Sequence, residues 1–376
     1  KKVREKESQS SKTAVQLEKE AREKVGKIMA RTFDRFRNKF NEDDKFNLFV
    51  NTITTTMDPH TEFMPPVDKR YFDEEMSGQF FGIGATLQYD EGNIKITSVV
   101  AGSPAYKSGQ IQAGDIILKV DDKTITNANY NTILSNQTLK LGLGDFVGGA
   151  FVSNGKSVTV TKVELQTNPI LADTIIAWSG KKVGYLAYSQ FLTSFDDSLR
   201  AIFGRFKTAG VNELVLDFRY NGGGYVVSSD LITNLTVKDA AARVGKVMNK
   251  KVYNATYTAY LERNSGASAF ETLFKSEPNN LGTLNRVFVL TAGNTASASE
   301  LVINNLKPFM EVILIGENTY GKNVGSFTLT DPNKRWDYGL QPITFLTNNA
   351  IGESNYGTAS GFTPNYILKD NVLPYK

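Results

Sequence analysis

The chain has 376 residues, of which 40% are hydrophobic and 22% are charged, and its formal net charge at pH 7 is +4. This is the composition of an ordinary globular protein, and the length suffices for two or three domains of about 100–200 residues each. The small net charge gives no reason to expect a nucleic-acid or membrane surface, and the lack of Cys excludes disulfides, thiol catalysis and Cys-based zinc sites.

The beginning of the chain predicts a helical N-terminal region, residues 1–76. Residues 1–25 are polar and charged, which is typical of a solvated helix or tail. From there to Pro59 apolar residues recur at helical spacing, and the proline ends this pattern. Because the sequence starts with Lys1 rather than Met, we expect a trimmed or processed form in which a signal segment cannot be identified.

The next segment predicts a small domain of short strands, residues 77–166. Phe81-Gly-Ile-Gly-Ala-Thr-Leu-Gln88 and Ile94-Lys-Ile-Thr-Ser-Val-Val100 have the composition of paired strands, and Asp90-Glu-Gly-Asn93 between them is a turn signal. A short helix is expected over residues 105–108. The compact order of strands and helix indicates a domain of its own.

From residue 167 to 376 strand and helix patterns alternate, which predicts an α/β core. Residues 213–217 form an apolar strand signal, and residues 195–209 have the amphipathic spacing of a helix. Residues 240–283 are rich in Lys, Asn, Tyr and Ser and lack such a pattern, so we expect a flap or an excursion there.

One candidate nucleophile lies in Thr295-Ala-Ser-Ala-Ser-Glu300, between the apolar run Val287-Phe-Val-Leu-Thr291 and a segment with helical spacing. Ser297 at such a strand-to-helix turn would be exposed at the sheet edge, and the following backbone N–H groups could stabilise an oxyanion. The alternative is a helix N-cap, because Ser297 and Glu300 have capping-box spacing. The pattern alone does not choose among the three hydroxyl residues of this segment.

A candidate base, Lys322, lies in Gly316-Glu-Asn-Thr-Tyr-Gly-Lys-Asn323, which nearly matches a nucleotide-binding phosphate loop. Asn323 stands where that loop has a hydroxyl for Mg²⁺, and the next residues predict a strand instead of a helix, so nucleotide binding is disfavoured. Lys322 could also be a surface residue in a turn. As a general base it needs a pKa lowered from about 10.4 toward neutrality by burial. A Ser/Lys pair is a recognised variant of the Ser/His/Asp arrangement.

Asn221-Gly-Gly-Gly224 is a third notable segment, because glycines let the backbone approach a ligand and direct N–H groups at it. The alternative is a flexible turn, braced by a pair of Asp217 and Arg219. His60, the only His, is interpreted as a structural hydrogen-bonding residue. No metal or cofactor is expected, since His and Cys clusters are absent from the sequence and the acidic runs lack calcium-loop spacing.

Taken together, the segments resemble the C-terminal processing (tail-specific) serine proteases over residues 57–367. The resemblance rests on several motifs that occur in the family's order. They are Met57-Asp-Pro-His-Thr-Glu-Phe-Met-Pro65, Phe81-Gly-Ile-Gly-Ala85, Gly102-Ser-Pro-Ala105, Ile111-Gln-Ala-Gly-Asp-Ile-Ile117, Leu214-Val-Leu-Asp-Phe-Arg-Tyr-Asn-Gly-Gly-Gly224, Ala296-Ser-Ala-Ser-Glu300, Tyr320-Gly-Lys322 and Gly361-Phe-Thr-Pro-Asn365.

The resemblance implies an α/β fold: a crotonase-like protease core with an inserted PDZ domain and a helical N-terminal region. It implies Ser297 as the nucleophile and Lys322 as the base. The oxyanion would be bound by the backbone N–H groups of Ala298 and Gly223. The third catalytic residue departs from the family's pattern, because Ser326 stands where the family has a base-orienting Gln four residues after the Lys.

The PDZ domain is implied to bind the free C-terminus of a substrate as an added strand. Its substrate-binding residues would be those of the carboxylate-binding loop, Phe81, Gly82, Ile83 and Gly84. Residues 138–163 fit the family poorly, and their glycines, including Gly148-Gly149, are expected to reshape the hinge of this domain.

The expected function is a serine endopeptidase with a Ser/Lys dyad that cleaves proteins presenting accessible, largely apolar C-termini. We expect it outside the cytoplasm, in a bacterial periplasm or cell envelope, with no nucleic-acid partner. The sequence leaves open whether the protein forms a homo-oligomer or binds an adaptor protein. The alternative, motivated by Ser326, is a non-enzymatic C-terminus-binding scaffold on a decayed protease core.

Overall fold

A computed structural model of the chain describes residues 13–34, 36–37, 40–90, 93–126, 129, 132–147 and 150–370. Residues 1–12, the middle of the predicted turn at Asp90-Glu-Gly-Asn93, and Gly148-Gly149 lie outside the described residues. The chain forms two compact units, residues 1–69 with 326–343 and residues 70–325 with 344–376.

The described part of the chain contains both helices and strands. The helices are α1 (Ala14–Asp34), α2 (Glu42–Met57), α3 (Pro66–Ser77), α4 (Pro104–Lys107), α5 (Asp196–Thr208), α6 (Val226–Thr236), α7 (Ala240–Arg243), α8 (Ala255–Asn264) and α9 (Ala298–Leu306), with 3-10 turns at Thr193–Phe195 and Gly266–Ala269. The strands are β1 (Glu62–Met64), β2 (Gln79–Gly82), β3 (Ala85–Asp90), β4 (Asn93–Val99), β5 (Ile116–Val120), β6 (Lys123–Thr124), β7 (Thr138–Val147), β8 (Ala150–Thr161), β9 (Val163–Gln166), β10 (Ile170–Trp178), β11 (Lys181–Tyr188), β12 (Glu213–Asp217), β13 (Val247–Tyr253), β14 (Glu271–Leu273), β15 (Arg286–Thr291), β16 (Glu311–Gly316), β17 (Val324–Ser326), β18 (Leu329–Thr330), β19 (Gly339–Gln341), β20 (Ile343–Asn349) and β21 (Tyr366–Ile367).

The first unit combines helices α1 and α2 with a small sheet of order β1-β19-β18. A capping box starts α2: the Asn41 side chain accepts the Asp44 N–H at 2.9 Å, and the Asp44 carboxylate accepts the Asn41 N–H at 3.0 Å. The helix ends at Met57, two residues before Pro59, as the sequence predicts. The expected helical N-terminal region is therefore confirmed.

The second unit begins with a sheet of order β3-β4-β5-β7-β8, with β6 added beside β5. Alternating residues of these strands, such as Ile96, Ile117 and Leu141, are fully buried and form a core of their own. Strand β2 pairs antiparallel with β9 and so joins the start of this domain to its end. Strand β3 is last in the order, so its outer edge faces no strand of the described chain.

The main sheet of the second unit has the order β10-β11-β12-β15-β16-β21. Neighbours from β11 to β21 are parallel, whereas β10 is antiparallel to β11. Phe203 of α5, Leu231 of α6 and Val302 of α9 pack into one core with the sheet's apolar residues. Because parallel strands end at one edge, the segments that follow β12, β15 and β16 come together there. These are the three segments that the sequence singles out.

Residues 240–283 are more regular than expected. They contain α7, β13, α8 and β14, and β13 lies between β14 and β20 in a sheet of order β14-β13-β20-β17. The segment looked irregular because its strands are short, and in β13 the polar residues Asn249, Lys250 and Lys251 interrupt the apolar run. The helix predicted over 195–209 is α5 and is confirmed within one residue at each end.

Candidate active site

Ser297 occupies a strained turn between β15 and α9, where it is the N-cap of the helix. Its backbone angles are φ 57° and ψ −113°. A residue with a Cβ rarely adopts such angles, and the cost is about 1–3 kcal/mol unless the surroundings impose them. The predicted strand-to-helix turn is thus confirmed, and its Ser side chain is half-buried.

Glu300 joins the turn at Ser297 to the segment that carries Lys322. Its side chain is fully buried. Its Oε2 accepts the N–H of Ser297 and the N–H of Lys322, each at 2.9 Å. Its Oε1 accepts the N–H of Gly321 at 2.7 Å and the hydroxyl of Thr319 at 2.5 Å. The bond to Ser297 is the expected backbone half of a capping box, but the bonds to residues 319–322 have no local sequence signal.

The loop that carries Lys322 connects β16 to β17, and its backbone is fixed on both sides. Gly321 has φ +96°, and a Cβ there would lie 1.9 Å from the carbonyl oxygen of Thr358, so only glycine fits. Asn323 donates from Nδ2 to the carbonyl oxygen of Ser354 at 2.9 Å. A strand, β17, follows the loop, so the helix that a phosphate loop requires is not formed. The Lys322 side chain is half-buried.

The glycine loop, residues 221–224, lies directly against the turn at Ser297. A Cβ on Gly223 would come within 2.9 Å of the Ser297 Cβ and 3.2 Å of the Ala298 backbone nitrogen. The buried Asn221 holds the two loops together, since its carbonyl oxygen accepts the N–H of Ala296 and the hydroxyl of Ser299, each at 3.1 Å. The structure therefore brings Ser297, Ala298 and Gly223 together.

The two predicted oxyanion donors differ in their present bonding. Ala298 is the first residue of α9, where helix geometry supplies no acceptor for its N–H. Gly223 donates its N–H to Oδ1 of Asn221 at 2.9 Å, while Asn221 Nδ2 donates to the carbonyl oxygen of Tyr188 at 2.9 Å. An oxyanion at Gly223 must therefore share or displace the Asn221 bond, which sequence reasoning did not anticipate.

The predicted brace between Asp217 and Arg219 is confirmed. Arg219 binds the carboxylate through Nε at 2.9 Å and Nη2 at 2.7 Å. The Tyr185 hydroxyl donates to the same carboxylate at 2.7 Å. Burial, together with this bond to Asp217, raises the pKa of Tyr185 to about 12. The turn that leads into the glycine loop is thus held by a charged network.

The predicted carboxylate-binding loop leads into β3 and is closely packed. Phe81 and Gly82 belong to β2, and the carbonyl oxygen of Ile83 accepts the N–H of Ala105 at 2.9 Å. Gly84 has φ +77°, and a Cβ there would lie 2.1 Å from the Cβ of Ser103. Glycine is therefore obligatory where the loop packs against the Gly102-Ser-Pro-Ala105 segment.

Two other predicted residues lie in the first unit. The hydroxyl of Ser326 accepts Nε2 of Gln341 at 2.6 Å. Its role as a base-orienting residue stays a prediction. His60 lies in a turn, where its own backbone N–H donates to Oδ1 of Asp58 at 2.7 Å. This bond is consistent with a structural position.

A cavity of about 180 Å³ in the second unit was missed by sequence reasoning. Asp196, Asp230 and Lys275 are among its lining residues. Burial raises the pKa of Asp230 to about 7, against the opposing effect of a hydrogen bond from Asn249 Nδ2 at 3.0 Å. No sequence pattern marks an acid buried on the face of a helix.

Within the described residues, no cluster of three or more His, Cys, Asp or Glu is placed to hold a metal ion. Among those residues, every helix is too short or too polar to cross a membrane.

Comparisons with known proteins cover most of the chain. The model of peptidase family S41 matches residues 182–366, the PDZ domain model matches residues 72–135, and the tail-specific protease N-terminal domain model matches residues 1–67. A structure from Bacteroides fragilis, described as a candidate S41 protease, is 29% identical, covers 84% of this chain and 80% of its own, and has a TM-score of 0.55.

Curated relatives match at lower identity. A tail-specific protease of Haemophilus influenzae is 23% identical over 74% of this chain and 39% of its own length. The carboxy-terminal processing protease CtpA of Bacillus subtilis is 26% identical over 75% of this chain and 56% of its own length. The chain thus spans about two-fifths to three-fifths of the length of these relatives. The chain therefore contains a peptidase family S41 domain, preceded by a PDZ domain and a tail-specific protease N-terminal domain.

Proposed function

We propose that the protein is a serine endopeptidase in which Ser297 is the nucleophile and Lys322 is the general base. The observation that carries this proposal is the buried Glu300 carboxylate, which accepts the backbone N–H groups of both residues at 2.9 Å. A structural N-cap has no need of the second bond. A catalytic pair depends on a fixed geometry between its two residues, and a carboxylate that binds the backbone of both loops provides such a constraint.

The proposed reaction begins when Ser297 Oγ attacks a substrate carbonyl carbon and the neutral Lys322 amine takes the hydroxyl proton. The carbonyl oxygen becomes an oxyanion, which the Ala298 N–H and the glycine loop stabilise. The tetrahedral intermediate then collapses, the C–N bond breaks, and the Lys322 ammonium protonates the leaving amine. Water hydrolyses the acyl-enzyme with Lys322 again as base, which restores Ser297.

Substrate selection is proposed to lie in the PDZ domain. The outer edge of β3, which pairs with no described strand, and the closely packed loop of Gly82 to Gly84 support the addition of a substrate C-terminus as a strand, its carboxylate bound by the loop amides. Proteins with apolar C-termini are the proposed substrates, encountered in a bacterial cell envelope. The names of the relatives from Haemophilus influenzae and Bacillus subtilis favour C-terminal processing.

The test is cleavage of an unfolded protein that ends in apolar residues, compared with the same protein carrying a charged C-terminus. Ser297→Ala and Lys322→Ala are expected to abolish cleavage and to keep the thermal unfolding of the parent. The rate should rise with pH as Lys322 loses its proton. Full activity in either variant would refute the dyad, and binding of C-terminal peptides without turnover at any pH would favour a scaffold on a decayed protease core.

A further inference from the structure

Residues 361–370 form the last described segment of the chain. This segment runs from the base loop, which is the loop of residues 317–323 that carries Lys322, to the turn that precedes the glycine loop. At its start, Phe362 donates its N–H to Thr319 Oγ1 at 2.7 Å and accepts the Thr319 N–H at 3.1 Å. Thr319 is also a donor to Glu300. Strand β21 then pairs in parallel with β16, and the N–H of Leu368 binds the carbonyl oxygen of Gly316 at 2.9 Å.

The side-chain carboxylate of Asp370, at the end of this described segment, binds two consecutive residues of the turn before the glycine loop. Asp370 Oδ1 accepts Nη1 of Arg219 at 3.0 Å. Asp370 Oδ2 accepts the hydroxyl of Tyr220. The Asp370 and Arg219 side chains are 19% and 28% exposed, so this pair is better shielded from water than an ordinary surface ion pair.

Arg219 has a different carboxylate on each side. Asp217, at the end of β12, occupies its Nε and Nη2, whereas Asp370 occupies Nη1. The guanidinium therefore joins the end of the sheet to the C-terminal segment. Because the Tyr220 hydroxyl also binds Asp370, loss of this carboxylate removes one side-chain bond from each of two consecutive residues, Arg219 and Tyr220.

This turn leads directly into the glycine loop. The N–H of Asn221 donates to the carbonyl oxygen of Phe218 at 3.0 Å, which closes the turn, and the carbonyl oxygen of Asn221 accepts the Ala296 N–H at 3.1 Å. Gly223 follows two residues later, against Ser297. The path from Asp370 to the candidate oxyanion site thus consists of one ion pair and one tight turn.

We propose that Asp370 is a positioning residue for the oxyanion-binding loop, so that the C-terminal segment straps the base loop to the glycine loop. This inference rests on the proposed peptidase function. Asp370 touches neither the nucleophile nor the base. It acts through Arg219 and Tyr220 by fixing where residues 221–224 stand relative to Ser297.

The test compares Asp370→Asn with Asp370→Glu and with a matched control, Asp197→Asn, which removes the carboxylate of an exposed pair with Arg200. For Asp370→Asn we expect kcat to fall at least about tenfold while KM changes less than about threefold, because a misplaced oxyanion donor acts on the transition state. Asp370→Glu should recover part of kcat. The control should keep both parameters.

A second readout does not depend on activity. Hydrogen exchange of the amides of residues 221–224 should quicken in Asp370→Asn and stay unchanged in Asp197→Asn. Unchanged amide exchange of this loop in Asp370→Asn would refute the positioning role of Asp370, even in a protein that never cleaves a peptide. A kcat in Asp370→Asn equal to that of the parent would overturn it as well, as would a loss that Asp197→Asn shares. If the parent does not cleave, but amide exchange of residues 221–224 quickens in Asp370→Asn, only the peptidase proposal is refuted.

Discussion

Replacing Glu300 by Gln removes the carboxylate that joins the segments of Ser297 and Lys322, the proposed catalytic pair, while it keeps the size of the side chain. Each carboxylate oxygen of Glu300 accepts two hydrogen bonds. An amide has one oxygen, so its NH₂ group must face two donors. If it faces Ser297 and Lys322, two buried N–H groups lose their acceptor. If it faces the other pair, the Thr319 hydroxyl can turn, but the N–H of Gly321 is left unpaired.

The magnitude follows from those losses. One or two unsatisfied buried donors cost about 1–3 kcal/mol each, and the surviving bonds lose the strength that the charge gave them. We expect Glu300→Gln to lower the free energy of unfolding by about 2–4 kcal/mol. A shift of about 1 Å between nucleophile and base costs about 100-fold in rate, so kcat should fall by at least that factor.

The assay combines urea unfolding with kcat measured well below the unfolding midpoint. Glu271→Gln is the matched control, because it makes the same change in an exposed pair with Lys250, 3.1 Å apart. That variant should keep kcat and lie within about 0.5 kcal/mol of the parent. A Glu300→Gln protein with parental kcat and stability would show that the buried carboxylate does not fix the site, and the reasoning would fail.

Three further predictions follow from single positions. Ser297→Gly should abolish cleavage, and its free energy of unfolding should exceed that of Ser297→Ala by about 1 kcal/mol, because glycine relieves the positive φ at some cost in unfolded-chain entropy. Equal free energies of unfolding in urea would contradict this prediction. Gly223→Ala should lower kcat more than 100-fold, on the order of a lost oxyanion donor, whereas Gly222→Ala, where a Cβ meets nothing within 4 Å, should keep it within a few-fold; similar kinetics for both would count against the close contact. Burial raises the pKa of Asp230 from an ordinary 3.8 to about 7, so parental stability should fall as pH rises from about 4 to 7, by up to about 4 kcal/mol. The advantage of Asp230→Asn in urea unfolding should therefore grow over that range and level off above it; an equal advantage at pH 5 and pH 8 would refute this.

The sequence predicted most of the elements that carry the site, because their signals are local. The apolar strands β12 and β15, the helix α5 and the end of α2 all appear in the sequence as apolar runs, helical periodicity or a proline break. Long-range bonds gave no such signal. Glu300 reads as a capping residue from its spacing, and only the fold shows that it also binds Lys322. The strands within residues 240–283 were missed because their local preference is weak and β13 depends on its pairing with β20.

The spacing of Ser297 and Lys322 is itself a consequence of the fold. Each follows a strand, and β15 and β16 are adjacent and parallel, joined by α9. Neighbouring strands lie about 4.8 Å apart, so two residues that follow such strands start within reach of each other. Glu300, in the first turn of the connecting helix, then binds the backbone of both. Any substitution that tilts α9 against the sheet should therefore disturb Ser297 and Lys322 together, which distinguishes this arrangement from one in which independent loops hold each residue.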